Sequence, residues 1–182
     1  MSIVLLGSTS GSCTLQEQAV AGTTVLTLPA VSGTVITTGS PQSQSVIQVV
    51  HGTYATQTTN NTSTYADTGL TTTITPQFST SKILILINFG QANKTSANSQ
   101  NNLNINLVKN GSQIVVLTKE SLYTNSTLRL DSALSFQYYD SPSSTSALTY
   151  KCQFKNNDNN GDGVSVQVSN IASYMTLLEI AA

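Results

Sequence analysis

The chain has 182 residues, of which 38% are hydrophobic but only 8% charged, seven basic and eight acidic for a net charge of -1. An average soluble protein carries roughly 25% charged residues, so solubility here rests on Ser, Thr, Asn and Gln. Seven scattered cations cannot form the basic stripe that phosphate neutralisation demands, which excludes a nucleic-acid partner, and the apolar run Ile83 to Ile87 falls far short of the ~20 residues of a membrane span.

Residues 1–44 read as an extended, β-rich arm. The apolar run Ile3 to Leu6 lacks a basic flank and is too short for a secretory core, so no signal peptide is expected. A weak repeat follows, in which Ala19-Val20-Ala21-Gly22 and Ala30-Val31-Ser32-Gly33 lead into the β-prone stretches Thr24 to Leu28 and Thr34 to Thr37. Alternation places apolar side chains on one face of each stretch. Short strands separated by glycine turns cannot bury such a face alone. Val25, Leu26, Leu28, Val35 and Ile36 are therefore candidates for contact with a partner surface or with sister chains. Ser40 to Gln44, with Pro41, reads as a linker.

Residues 45–182 carry the punctuation of an antiparallel β-sandwich, with short apolar-rich runs between turn signals. Strands are predicted near Val46 to His51, Leu70 to Thr75, Lys82 to Phe89, Leu103 to Lys109, Gln113 to Thr118, Leu128 to Tyr139, Ala147 to Lys155, Gly163 to Val168 and Tyr174 to Ile180. Asn110-Gly111 between two apolar runs predicts a two-residue type I′ hairpin, because both residues tolerate positive φ. Asp140-Ser141-Pro142-Ser143 predicts a second reversal. The Asn-rich stretch Gln91 to Asn102 reads as a long exposed loop, and no capped 3.6-residue period predicts a helix.

The chemistry-bearing residues are few. Asp158, Asn160 and Asp162, followed by Gly163, match the first half of a calcium loop, but the bidentate Glu required at its twelfth position falls on Ser169; an ordinary polar turn accounts for the same residues, and no metal or cofactor is expected. His51 is the single histidine, which removes His-pair chemistry, and no nucleophile elbow surrounds any serine. The eight acids lie mostly at turns and strand ends, and with no tryptophan to stack a sugar the paired carboxylates of a glycosidase are not expected. Tyr138 and Tyr139 must point to opposite faces of their strand, so one belongs to the core. Cys13 and Cys152 read as free thiols, consistent with folding in a reducing cytoplasm. The chain is expected not to be an enzyme.

Gly11 to Gln16, Ala19 to Ala30 and Ser32 to Gly39 together resemble the N-terminal segment of phage and cyanophage virion surface proteins, often described as tail-fibre-like. Ile47-Gln48-Val49-Val50, Thr80 to Leu84, Leu134 to Pro142 and Tyr174 to Ile180 resemble the β-sandwich joined to that segment. The resemblance covers nearly the whole chain and implies a jelly roll of the TNF/C1q-like shape that assembles as a homotrimer. No heptads or triple-stranded repeats supply a fibre shaft between arm and sandwich. A head decoration (cement) protein is therefore expected on the outer capsid surface, assembled in the host cytoplasm, with the major capsid protein as partner. The alternative is a short tail fibre or receptor-binding tip that recognises host polysaccharide through loops such as Gln91 to Asn102.

Overall fold

Period-two alternation of apolar and polar residues decides the architecture. The structure, a computed structural model, describes residues 2–6, 9–16, 39, 41–95, 100–158 and 163–182. The chain divides into two compact units, Met1–Val35 and Ile36–Ala182. In the first, β1 (Ser2–Leu6) and β2 (Ser12–Gln16) pair antiparallel, with Ile3 opposite Leu15 and Leu5 opposite Cys13. Neither strand is predicted from the sequence.

The second unit is an antiparallel jelly-roll β-sandwich. Its strands are β3 (Val46–Tyr54), β4 (Thr58–Asn60), β5 (Ala66–Ile74), β6 (Lys82–Lys94), β7 (Leu103–Lys109), β8 (Ser112–Ser121), β9 (Leu130–Asp140), β10 (Leu148–Asn156), β11 (Val164–Val166) and β12 (Ser173–Ile180). One sheet runs β5-β10-β7-β8. The other is built on β6, which pairs with β9 along one edge and with β12 and then β11 along the other. Because β3 lies beside β12 and β4 beside β11, this sheet is four strands wide, and its two outer members on that side are each one strand broken in the middle.

The break has a local cause. Gln167, Ser169 and Asn170 adopt positive φ of 52°, 57° and 59°, which turns the chain out of the ladder between β11 and β12. Gln57, in the matching gap between β3 and β4, clasps the turn: its N–H donates to Asn170 Oδ1 at 3.2 Å and its side-chain oxygen accepts from Ser169 N at 3.0 Å. Opposite the break, β6 bulges between Phe89 and Ala92, and Gly90 lets the turn approach. A Cβ on Gly90 would lie 2.4 Å from Ala172 O and 2.6 Å from Ile171 Cγ2. Gly90→Ala is expected to cost about 1 to 3 kcal/mol through overpacking, read as a lower midpoint in urea with unchanged slope.

The core lies between the sheets. Ile83, Ile85, Ile87 and Phe89 of β6 face Leu148, Tyr150, Cys152 and Phe154 of β10, with Leu70 and Ile74 of β5, Ile105 and Leu107 of β7, and Met175 and Leu177 of β12 completing it. The hairpin prediction is met: Lys109 pairs with Ser112, and Asn110 and Gly111 have φ of 49° and 87°. Tyr138 packs against the core while Tyr139 points out, 55% exposed.

One expectation is corrected. Of Gln91 to Asn102, read as a long exposed loop, Gln91 to Lys94 instead extend β6, and Ala92, Asn93, Lys94, Asn101 and Asn102 are buried, while 96–99 lie outside the described residues. Polar composition misleads there because Asn101, Asn102, Asn156 and Lys94 find hydrogen-bond partners inside the fold, although Asn93 Oδ1 and Asn102 Oδ1 stay unpaired. Asn156 Nδ2 donates to Asn101 Oδ1 at 2.8 Å, Asn102 N donates to Asn156 Oδ1 at 3.3 Å, and Lys94 Nζ donates to Thr124 Oγ1 and Ser126 O at 3.1 Å each. Among the described residues no helix is long and apolar enough to cross a membrane.

Candidate functional site

The outer faces of the two sheets differ in kind. On the β5-β10-β7-β8 sheet the outward side chains of β10 are Thr149, Lys151, Gln153 and Lys155, and charge is tied down in pairs there. Asp67 accepts from Lys151 Nζ at 2.8 Å and from Gln153 Nε2 at 2.7 Å, and the Lys151 ammonium holds its carboxyl below the usual range. Lys155 Nζ sits 5.3 Å from the centre of the Tyr65 ring.

The outer face of the β3-β12-β6-β9 sheet is organised in rows that follow the strand register. Val49, Leu178, Leu84 and Tyr139 form one row; His51, Thr176, Leu86 and Gln137 the next; Thr53, Tyr174, Asn88 and Ser135 the third. These rows contain no formally charged side chain. Val49, Leu86, Tyr139 and Tyr174 are among the exposed large hydrophobic residues of the molecule. An open groove of about 470 Å³ runs across them between Tyr174, Leu86 and Gln137. His51 lies within β3, stacked on Tyr174 with ring centroids 5.7 Å apart, rather than at a strand end.

Further along the same face, beyond the strand break, the rows become polar. Thr59 of β4, Ser165 of β11, Asn93 of β6 and Asp131 of β9 stand side by side. Thr59 Oγ1 and Ser165 Oγ share a hydrogen bond of 2.8 Å, and Arg129 grips Asp131 with Nε and Nη2, each at 2.8 Å. That guanidinium holds the Asp131 carboxyl below its ordinary range. An open trough of about 520 Å³ lies over Thr59, Ser165, Asn93, Gln57, Asn61 and Arg129.

Of the residues singled out in the sequence, Val25, Leu26, Leu28, Val35 and Ile36 lie outside the described residues, as do Asn160 and Asp162. Asp158 is described, and its carboxylate accepts a short hydrogen bond from Asn102 Nδ2. Among the described residues no group of three or more His, Cys, Asp or Glu side chains is placed to hold a metal ion. Cys152 is a free thiol, fully buried, and burial pushes its pKa far up, which keeps it protonated. Sequence reasoning missed the polar trough, because its residues come from four strands distant in sequence and share no motif.

Fold and faces together define a β-sandwich in which the three central rows of one outer face carry no formal charge and expose apolar side chains among polar ones. No protein-family model matches the chain, and no curated protein sequence is similar to it. Among solved structures, the fold is similar to that of VP2 in the infectious bursal disease virus VP2 subviral particle, with a TM-score of 0.50 and 13% sequence identity. The match covers 86% of this chain and 37% of the VP2 chain, so the protein spans well under half of VP2's length.

Proposed function

We propose that the protein is a non-enzymatic structural component of a virion, a decoration or cement protein that sits as a homotrimer on the outer surface of a phage head. The observation that carries this reading is the apolar cluster Val49, Leu84, Leu86, Leu178 and Tyr139 on the uncharged central rows of one outer face. A surface of this kind left open on every copy is costly in water, and its lack of charge lets identical copies approach without repulsion. The jelly-roll architecture, the similarity to VP2 and the resemblance to phage surface proteins of TNF/C1q-like shape all support the same reading. In it, residues 1–44 are the anchoring arm, with Val25, Leu26, Leu28, Val35 and Ile36 against the major capsid protein, and avidity multiplies three weak contacts.

Two measurements test it. In sedimentation the full chain is expected at three times its monomer mass, and Leu86→Glu, which places a charge on an exposed position of the face, is expected to shift it to monomer. A virion assembled with a protein lacking the residues before Val46 is expected to be devoid of it; normal incorporation refutes the arm's role. The alternative, a receptor-binding tail tip, relied on the exposure of Gln91 to Asn102; among the described residues of that stretch Asn93, Lys94, Asn101 and Asn102 are buried.

A further inference from the structure

The polar trough at the far end of the apolar face has the makings of a ligand site. Its floor is Asn93, 6% exposed, whose Oδ1 is buried without a hydrogen-bond partner. A buried amide oxygen left unpaired costs about 1 to 3 kcal/mol, and a donor arriving from the trough would recover that. Beside it, Ser165 is 3% exposed, and its hydroxyl is coupled to that of Thr59. A hydroxyl pair of this kind both donates and accepts. The rim adds the amides of Gln57 and Asn61 and the guanidinium of Arg129. Because Arg129 is already matched by Asp131 in a two-point contact, the trough presents hydrogen-bonding geometry with no net charge.

We propose that this trough binds a neutral saccharide, an activity beyond the structural role given above. The ligand must offer an O–H or N–H to Asn93 Oδ1, exchange hydrogen bonds with Ser165 and Thr59, and carry no charge that the Arg129–Asp131 pair would have to rearrange to meet. A run of sugar hydroxyls satisfies all three conditions. An apolar ligand fails the first two, and an anion fails the last. Asn93 lies five residues along β6 from Asn88 in the nearest of the three rows, which at ~3.4 Å per residue is roughly 17 Å, so the trough borders those rows rather than lying within them.

The test is a titration of the full chain, labelled with ¹⁵N, by neutral oligosaccharides of glucose, galactose and N-acetylglucosamine, with sulfated versions as a second arm. Saturable shifts are expected at the Asn93 side-chain amide and the Ser165 backbone amide with at least one neutral sugar. Thr59→Val and Arg129→Ala, both at exposed positions, are expected to weaken that binding about fivefold each, in the range of one lost hydrogen bond, while leaving the melting temperature in place. These variants are used in preference to Asn93→Leu, whose buried site endangers folding. The proposal is overturned if no neutral sugar shifts these signals at about 20 mM, weaker than any useful site, if only sulfated sugars bind, or if both variants bind as the wild type does. Because binding is read on the free protein and incorporation on the particle, either reading can fail without the other.

Discussion

Phe89→Ala is expected to lower the melting temperature by about 10 to 15 °C, corresponding to a loss of about 3 to 5 kcal/mol. Phe89 is fully buried at the end of the apolar run of β6, next to the bulge, and meets Phe136 of β9 edge to face at a centroid distance of 6.5 Å. Truncation removes the ring's buried area and leaves a cavity between the sheets that collapses poorly, because β6 is pinned by β9 on one side and by β12 on the other. The edge-to-face pair is lost as well, about 0.5 to 1.5 kcal/mol in itself. Calorimetry of the two proteins checks the shift. A change below about 3 °C would mean that the bulge, and not the core, sets the stability of this half of the sandwich.

Glu179→Ala is expected to cost about 3 kcal/mol, from a single carboxylate at the opposite end of β12. Glu179 is fully buried, accepting from Gln48 Nε2 at 2.6 Å and from the backbone N–H groups of Gln77 and Phe78 at 2.8 and 3.3 Å. Burial pushes its pKa up, but the neighbouring Ser81 hydroxyl, Gln48 and the two backbone N–H groups together outweigh burial and hold the carboxyl below the usual glutamate range. The sign follows by linkage. A folded pKa below the unfolded value of about 4.3 means that the stabilisation is complete above that pH and is lost as pH falls through the lower folded value. Urea midpoints measured between neutral pH and the acid limit are expected to fall in that window for the wild type. Glu179→Gln, which cannot ionise, is expected to lose this carboxylate's contribution to the slope.

Much of the sandwich was legible in the sequence because its strands alternate. All nine predicted strand positions correspond to strands, and Asn110-Gly111 gave the hairpin its turn. What stayed hidden has physical reasons. The three residues of β4, Thr58 to Asn60, carry no apolar signal, and they pair as a strand only because β11 lies alongside. The strand read as Gly163 to Val168 is shortened to Val164–Val166 by the left-handed backbone at Gln167, which nothing in the side chain announces. In β6 both faces are apolar, Ile83, Ile85 and Ile87 inward and Leu84 and Leu86 outward, so period alone could not say which face meets the core and which is left over. The buried amides of Asn101, Asn102 and Asn156 look like loop residues until their partners are placed opposite them.

The sandwich has a root and a crown. Where the chain joins it, Gln44 N donates to Ala181 O at 2.9 Å and Ala181 N to Ser45 O at 2.9 Å, so the incoming and outgoing ends are stitched together at one pole. The turn at residues 61–65 and the buried asparagines lie at the other. A tether attached through the residues before Gln44 would therefore hold the sandwich at the root, and anything fused after Ala182 would emerge beside it. For a protein meant to present a peptide or a dye away from a surface, the graft belongs in the crown, and the C-terminus is the wrong place for it.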